Sequence, residues 1–384
     1  MPRSAMVSEG LTLPRSSPPR TEDAKAYNRI KLTAGLASSL FSFALLVTLV
    51  ATSAGRSIAG WCSSVFPNPY GALLLFACSL GVFRSGITLP LAWFSGFHLE
   101  HRFALSNQTA GEWAWERIKG FSLGAPLAGG VFCFLYFCLG RFGALWWLPV
   151  GVALTLISVV LVRIAPVLIM PLFYRFTPIA DGTLKERIAH LCKTAGVHVE
   201  GIFSFNLSKN TRKANAAFTG IGRSRRIILG DTLVSNFSEE EIETVFAHEL
   251  GHYRFSHIRT GIIIGTVSTF AGLYLAARLY EWSVAAFHYS AMTDLAALPL
   301  LAIWLSLFGL LTSPLGNMIS RYHERQADSY AVRTTGKHDA FVAALRKLSD
   351  MNLADPEPHP LVEFMFYSHP PIAKRIRALE HGQS

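Results

Sequence analysis

His248-Glu249-Leu250-Gly251-His252 is the stretch of this sequence best equipped for chemistry. On a helix, histidines at i and i+4 stand on one face, so both imidazoles reach a single cation. Glu249, beside the first histidine, is placed to touch a water on that cation rather than the cation itself. Imidazoles joined by a carboxylate suit Zn²⁺, and three protein ligands leave a fourth position open for water. Zinc lowers the pKa of such a water to about 7. Glu249 then serves as general base, taking the water's proton during attack on a peptide carbonyl and passing it to the leaving amine. A pattern this short also arises on solvated surface helices. Here the uncharged Phe246, Ala247, Leu250 and Gly251 pack round the motif, where a surface helix would show charge.

A third ligand is predicted in Ser320–Asp328, which reads as helical. Glu324 and Asp328 share a face at i, i+4. Glu324 completes a His/His/Glu set, and Asp328 is placed to accept a ring N–H from a ligand histidine. Taken alone, the same residues fit an ordinary amphipathic helix with acids and arginines in salt bridges. The need of the His-x-x-x-His pair for one more ligand, on the same side of the membrane, favours the metal.

Those elements sit in an apolar chain. Its 384 residues are 51% hydrophobic and 16% charged, with a formal net charge of +10, against about a quarter charged in soluble proteins. The arithmetic excludes a wholly soluble or a disordered protein. Met1–Asp23, rich in Pro, Ser and Arg, reads as a disordered cytosolic tail rather than a signal peptide, and residues 1–30 are taken together as that tail. Leu32–Ala54 is long enough to cross roughly 30 Å of hydrocarbon. Five more spans follow: Tyr70–Phe94, broken near Pro90; Phe121–Leu139, weakened by Gly124, Pro126, Gly129 and Gly130; Leu145–Phe173; Ile262–Trp282; and Leu295–Leu315. The fold class is thus mainly α, a multi-pass helical membrane protein of about six spans. Residues 31–174 hold spans one to four and 260–318 spans five and six. Residues 175–259 form an inserted α+β cytosolic unit, and 319–384 a cytosolic helical region carrying the third ligand.

Arg15, Arg20, Lys25, Arg29 and Lys31 precede the first span, and Arg102, Arg117 and Lys119 lie between the second and third. This bias places both termini and the metal site on the cytoplasmic side. Arg84 and Arg163 fall within spans, where they either snorkel or face a polar cavity. In the insert a helix is predicted over Thr183–Ala195 and strands over Gly201–Phe205, Asn215–Thr219 and Arg226–Leu229, the last two joined by a turn at Gly220–Ser224. Ser238 with Glu241 forms a capping box that launches the motif helix. Five scattered cysteines without C-x-x-C pairing indicate neither a disulfide framework nor a thiolate site.

In combination, His248–His252, Glu324-Arg325-Gln326-Ala327-Asp328 and Ser368-His369-Pro370-Pro371 resemble the integral-membrane gluzincin peptidases typified by CAAX prenyl protease 1. His98–Phe103 with Asn107-Gln108-Thr109, Ala165-Pro166 through Phe176-Thr177-Pro178, Asn215–Gly220 and Asp231-Thr232-Leu233 are similar to further stretches of that family. The resemblance runs from about His98 to the end. It implies a helical barrel enclosing a water-filled chamber, with one zinc held by His248, His252 and Glu324 and with Glu249 as base. It also implies an edge strand, at Asn215 and Ala216, that receives substrate by main-chain pairing, and makes His369 a candidate for polarising the scissile carbonyl. Two departures stand out. The animal and fungal members carry an extra N-terminal span that this chain does not show, and a longer stretch before the third ligand than Ser313–Ile319.

The expected function is a zinc-dependent membrane endopeptidase acting on prenylated CAAX-type or other membrane-associated peptides, with the lipid bilayer as partner. The alternatives are a heat-shock-type quality-control membrane metalloprotease, which usually has fewer spans and lacks the His98–Phe103 stretch, and a non-catalytic scaffold with structural zinc, which would close a fourth ligand round the ion. The positive charge fits anionic headgroups. No basic run interleaved with aromatics calls for nucleic acid, and Lys374, Arg375 and Arg377 read as one solvated basic face.

Overall fold

The computed structural model describes residues 21–197, 199–219 and 226–381. Met1–Arg20 and the expected turn at Gly220–Ser224 lie outside them. Six helices among the described residues are long and apolar enough to cross a membrane: Thr21–Ala51, Pro69–Arg102, Ala110–Leu145, Trp147–Phe173, His257–Ala286 and Leu295–Thr335. Between 0% and 33% of each apolar window is buried inside the protein, which leaves most of that surface for hydrocarbon.

The spans differ from the sequence expectation in four places. Thr21–Ile30, assigned to the tail, is already helical. The second span runs through Pro90, and the ladder adjusts in a π-helical turn at Phe94–His98 before continuing to Arg102. The His98–Phe103 stretch is therefore mostly helix. The third span, despite its Gly and Pro content, is an unbroken helix over Ala110–Phe142, opened by a Thr109/Glu112 capping box. In lipid a helix satisfies its own backbone, and that outweighs a propensity measured in water. Lastly, Leu298–Thr335 is one helix of 38 residues, which runs without interruption through residue 319. A short helix over Ala54–Val65, not expected from sequence, follows the first span and buries Cys62.

The insert carries a four-stranded sheet of order β1-β2-β4-β3, with β1 Phe176–Pro178, β2 Gly201–Phe205, β3 Ala216–Thr219 and β4 Arg226–Gly230. β2 and β4 are parallel, while β1 and β3 pair antiparallel to their neighbours. The apolar run Ile227–Leu229 is buried at the centre, and β3 is an edge. A core of Ile188, Leu191, Ile227, Leu229, Leu233, Phe246, Leu250, Phe341 and Leu345 joins this sheet to the motif helix and to helix His338–Asn352. A separate core among the spans centres on Trp146, Tyr280, Leu139 and Leu300. Arg84 Nε donates to Ser42 Oγ on the first span at 2.8 Å, and Arg163 is exposed.

Candidate active site

The motif helix spans Glu239–Arg254. Its start is fixed reciprocally: the Glu241 amide donates to Ser238 Oγ at 3.3 Å and the Ser238 amide to Glu241 Oε2 at 2.8 Å. Gly251 then allows close approach to the Leu298–Thr335 helix. A Cβ at Gly251 would lie 3.0 Å from the Ala327 Cα and 3.2 Å from the Tyr330 Cβ. This small-residue crossing is what brings the two histidines to the face that carries Glu324.

There, ligand atoms of His248, His252 and Glu324 lie within 4.8 Å of one another. The two imidazole Nε2 atoms are 3.2 Å apart. Glu324 Oε2 is 3.5 Å from His248 Nε2, and Oε1 is 3.3 Å from His252 Nε2. Glu324 is buried, and its Oε2 has no hydrogen-bond partner, an expensive state for a carboxylate oxygen. His248 Nδ1 faces Asp328 Oδ1 at 2.9 Å, and His252 Nδ1 faces His257 Nδ1 at 3.0 Å. With both Nδ1 protons engaged, the two Nε2 lone pairs meet across 3.2 Å with Glu324 Oε2, which accepts no hydrogen bond, beside them. Two nitrogens and one oxygen so arranged fit a divalent cation.

The two carboxylates that face His248 favour its protonated form. Burial works against the imidazolium, but the facing carboxylates of Asp328 and Glu324 outweigh it and lift the pKa from 6.5 to about 9.

A cavity of about 330 Å³ opens on this cluster. Its walls include His248, Glu249, Glu324 and His369 together with Ala214, Asn215 and Ala216 at the start of the β3 edge. The pairing of β3 is legible from the backbone. The Gly230 amide donates to the Asn215 carbonyl at 2.8 Å, so Asn215 and Ala217 turn toward β4, while Ala216 turns its N–H and C=O outward to the cavity side. His369 Nδ1 lies 3.0 Å from Glu324 Oε1. The segment bearing it is held to the sixth span by Arg321 Nη1, which donates to the carbonyls of Glu363 at 3.1 Å and Tyr367 at 2.6 Å. Asn317 adds a bond to the Met365 carbonyl at 2.8 Å.

Comparison with known proteins gives this geometry its context. Residues 178–383 match Peptidase family M48, and residues 14–175 match the CAAX prenyl protease N-terminal region, described as five membrane helices. The chain belongs to peptidase family M48. The M48 chain is 33% identical to CAAX prenyl protease 1 of Saccharomyces cerevisiae over 79% of its own length and 72% of the relative's. It is 30% identical to the metalloprotease YhfN of Bacillus subtilis, over 88% and 80% respectively. The crystal structure of S. mikatae Ste24p superposes with a TM-score of 0.81 at 28% identity, covering 94% of this chain and 88% of that one. This M48 member is a multi-pass membrane metallopeptidase.

His248, Glu249, His252, Glu324, Asp328, His369, Asn215 and Ala216 all lie at the cluster or along its cavity. The sequence reading missed two further residues of the cluster. Arg375, assigned to a solvated face, turns inward with its side chain only 10% exposed: Nε donates to Asp328 Oδ2 at 2.9 Å and Nη2 to Oδ1 at 2.5 Å. That bidentate pair orients the carboxylate that faces His248. Its neighbours Lys374 and Arg377 instead pair with Glu363 and Glu357. His257 was also missed. Its Nε2 lies 3.0 Å from Gln326 Oε1 and its ring stacks on His323 at 3.9 Å. Because an amide oxygen only accepts, His257 carries its proton on Nε2 and offers the Nδ1 lone pair to His252.

Proposed function

We propose that the protein is a zinc-dependent endopeptidase whose ion is held by His248, His252 and Glu324 at the cytoplasmic face of the membrane. The carrying observation is the buried, unpartnered Glu324 Oε2 beside two converging imidazole nitrogens at the wall of an open cavity. Two nitrogens and a carboxylate oxygen, with one side left to solvent, are the donor set of a catalytic rather than a structural zinc. When bound, the ion supplies Lewis acidity and brings the pKa of a water toward about 7.

The rest is done by side chains. Glu249, on the cavity wall one residue from His248, takes a proton from the attacking water and returns it to the leaving amine. His369, exposed to the cavity and braced through the segment that Arg321 holds, donates to the scissile carbonyl as charge develops on its oxygen. Asp328, clamped by Arg375, keeps the His248 proton on Nδ1 and its Nε2 free. The β3 edge at Ala216 offers main-chain bonds to an extended peptide.

The names of the relatives support a substrate class of prenylated CAAX-type tails, or other peptides held at the membrane surface. The Lys/Arg distribution before the first span and between the second and third supports the cytoplasmic orientation. The test is cleavage of farnesylated and unmodified peptides, side by side, with and without chelator. Chelator-sensitive cleavage is expected, faster for the farnesylated peptide. Cleavage indifferent to chelator, or full activity in Glu249→Gln, would sink the mechanism.

A further inference from the structure

The edge that β3 offers is already occupied two residues before the strand begins, at Ala214. Outward-facing backbone groups alternate along it, and the Gly230–Asn215 bond sets the phase: residues 214, 216 and 218 turn away from β4. At Ala214 both groups are already taken by one side chain. The Ala214 amide donates to Asn352 Oδ1 at 3.0 Å, and Asn352 Nδ2 donates to the Ala214 carbonyl at 3.3 Å. The carboxamide thus occupies the place that the backbone of an added strand would take. Ala216, the next outward residue, lines the same cavity as His248 and Glu249.

Asn352 is held firmly. It ends helix His338–Asn352, and the cap that follows is Leu353, a non-glycine residue at φ 46°, a conformation that persists only where its surroundings enforce it. Leu353 is buried with Tyr27, Leu99 and Leu105, and its carbonyl accepts from Asn28 Nδ2 at 2.6 Å. The strand side is anchored in the same place. Lys213 Nζ pairs with Glu100 Oε2 at 2.8 Å and donates to the Tyr27 hydroxyl at 2.9 Å.

We propose that Asn352 is a register stop for the bound peptide: by filling the pairing position at Ala214 it limits how many residues the substrate extends on one side of the scissile bond. This rests on the peptidase reading and on substrate pairing with β3, and it makes Asn352 a specificity-determining residue. A longer peptide must displace two hydrogen bonds, a handicap of about tenfold.

The experiment uses the full-length protein with zinc and two peptide series, elongated residue by residue before or after the cleavage site. For the wild type, kcat/KM is expected to fall about tenfold beyond a certain length in one series and to stay level in the other. Asn352→Ala should abolish that drop, leave short peptides and zinc content unaffected, and admit cleavage at shifted positions. Should the alanine variant lose zinc or fail to fold, Asn352→Asp keeps size and acceptor but lacks the donor, and is expected to relax the limit in the same direction. Identical length profiles in wild type and variant would overturn the proposal while leaving the peptidase reading intact. Absence of cleavage for every peptide by the zinc-loaded wild type would overturn the reading itself, and the register stop with it.

Discussion

His248 and His252 stand on one helix face and share the Glu324 carboxylate, yet the protein surrounds them differently. The His248 side chain is 9% exposed and backed by a buried carboxylate that is itself clamped by Arg375. The His252 side chain is 24% exposed and backed by a neutral imidazole whose far nitrogen meets an amide. One half of the site is fixed by formal charge in a dry setting, where an unmatched ion is costly. The other is fixed by tautomer alone, near water. If the cluster holds an ion as proposed, the contrast puts its affinity mainly in the His248 half and leaves the His252 half more tolerant of change.

Both halves serve the same base, so the largest effect belongs to a change that touches neither. Glu249→Gln is expected to lower turnover by about 10²–10⁴-fold, with zinc per chain unchanged by elemental analysis; loss of zinc would make Glu249 a ligand and redraw the site. Glu324→Ala removes the group common to both halves. Zinc affinity, read by competition with a chromophoric chelator, should fall by more than about 100-fold.

The contrast itself is tested by Asp328→Asn against His257→Ala. Removing an outer partner typically costs roughly 10–100-fold in metal affinity. The Asp328 change is expected near the upper end and the His257 change near the lower, because water can replace the imidazole at the wetter side. Equal losses would break the distinction. The smallest step is with pH. In the proposed site zinc competes with the proton that His248 binds with a pKa of about 9, so affinity should rise about tenfold per pH unit and then level off. For the zinc-free protein the sign is opposite. A pKa raised from 6.5 to about 9 stabilises the fold fully below 6.5, and that contribution is lost as pH rises through 9. Thermal melts of zinc-free protein, scanned from pH 6 to 10, would show the decline.

How much of this was legible in the sequence follows the same division. His248, His252, Glu324 and Asp328 obey helical spacing on two short segments, and the fold gathers them into one cluster. Arg375 was read with Lys374 and Arg377 because all three are basic. The available signal was its position: Ile372, Ile376 and Leu379 pack on the core as an apolar stripe, and Arg375 falls on that stripe at i+3. His257 follows His252 across Ser256, whose φ of 57° breaks the helix, so no helical period links the two. The third span was underrated because Gly124 and Pro126 count heavily on scales made in water. The pairing of Asn352 with Ala214 joins residues 138 apart and leaves no mark in local pattern.

In the proposed enzyme, the unbroken helix that runs from the apolar sixth span to beyond Glu324 ties catalysis to lipid mechanics. Glu324 sits roughly 16 Å along the axis from Ser313, so a span that leans further to match a thinner bilayer swings the carboxylate relative to the imidazoles. Turnover should accordingly pass through a maximum as acyl length is varied in reconstituted vesicles. A flat response would mean that the Gly251 crossing, rather than the bilayer, sets the position of that oxygen.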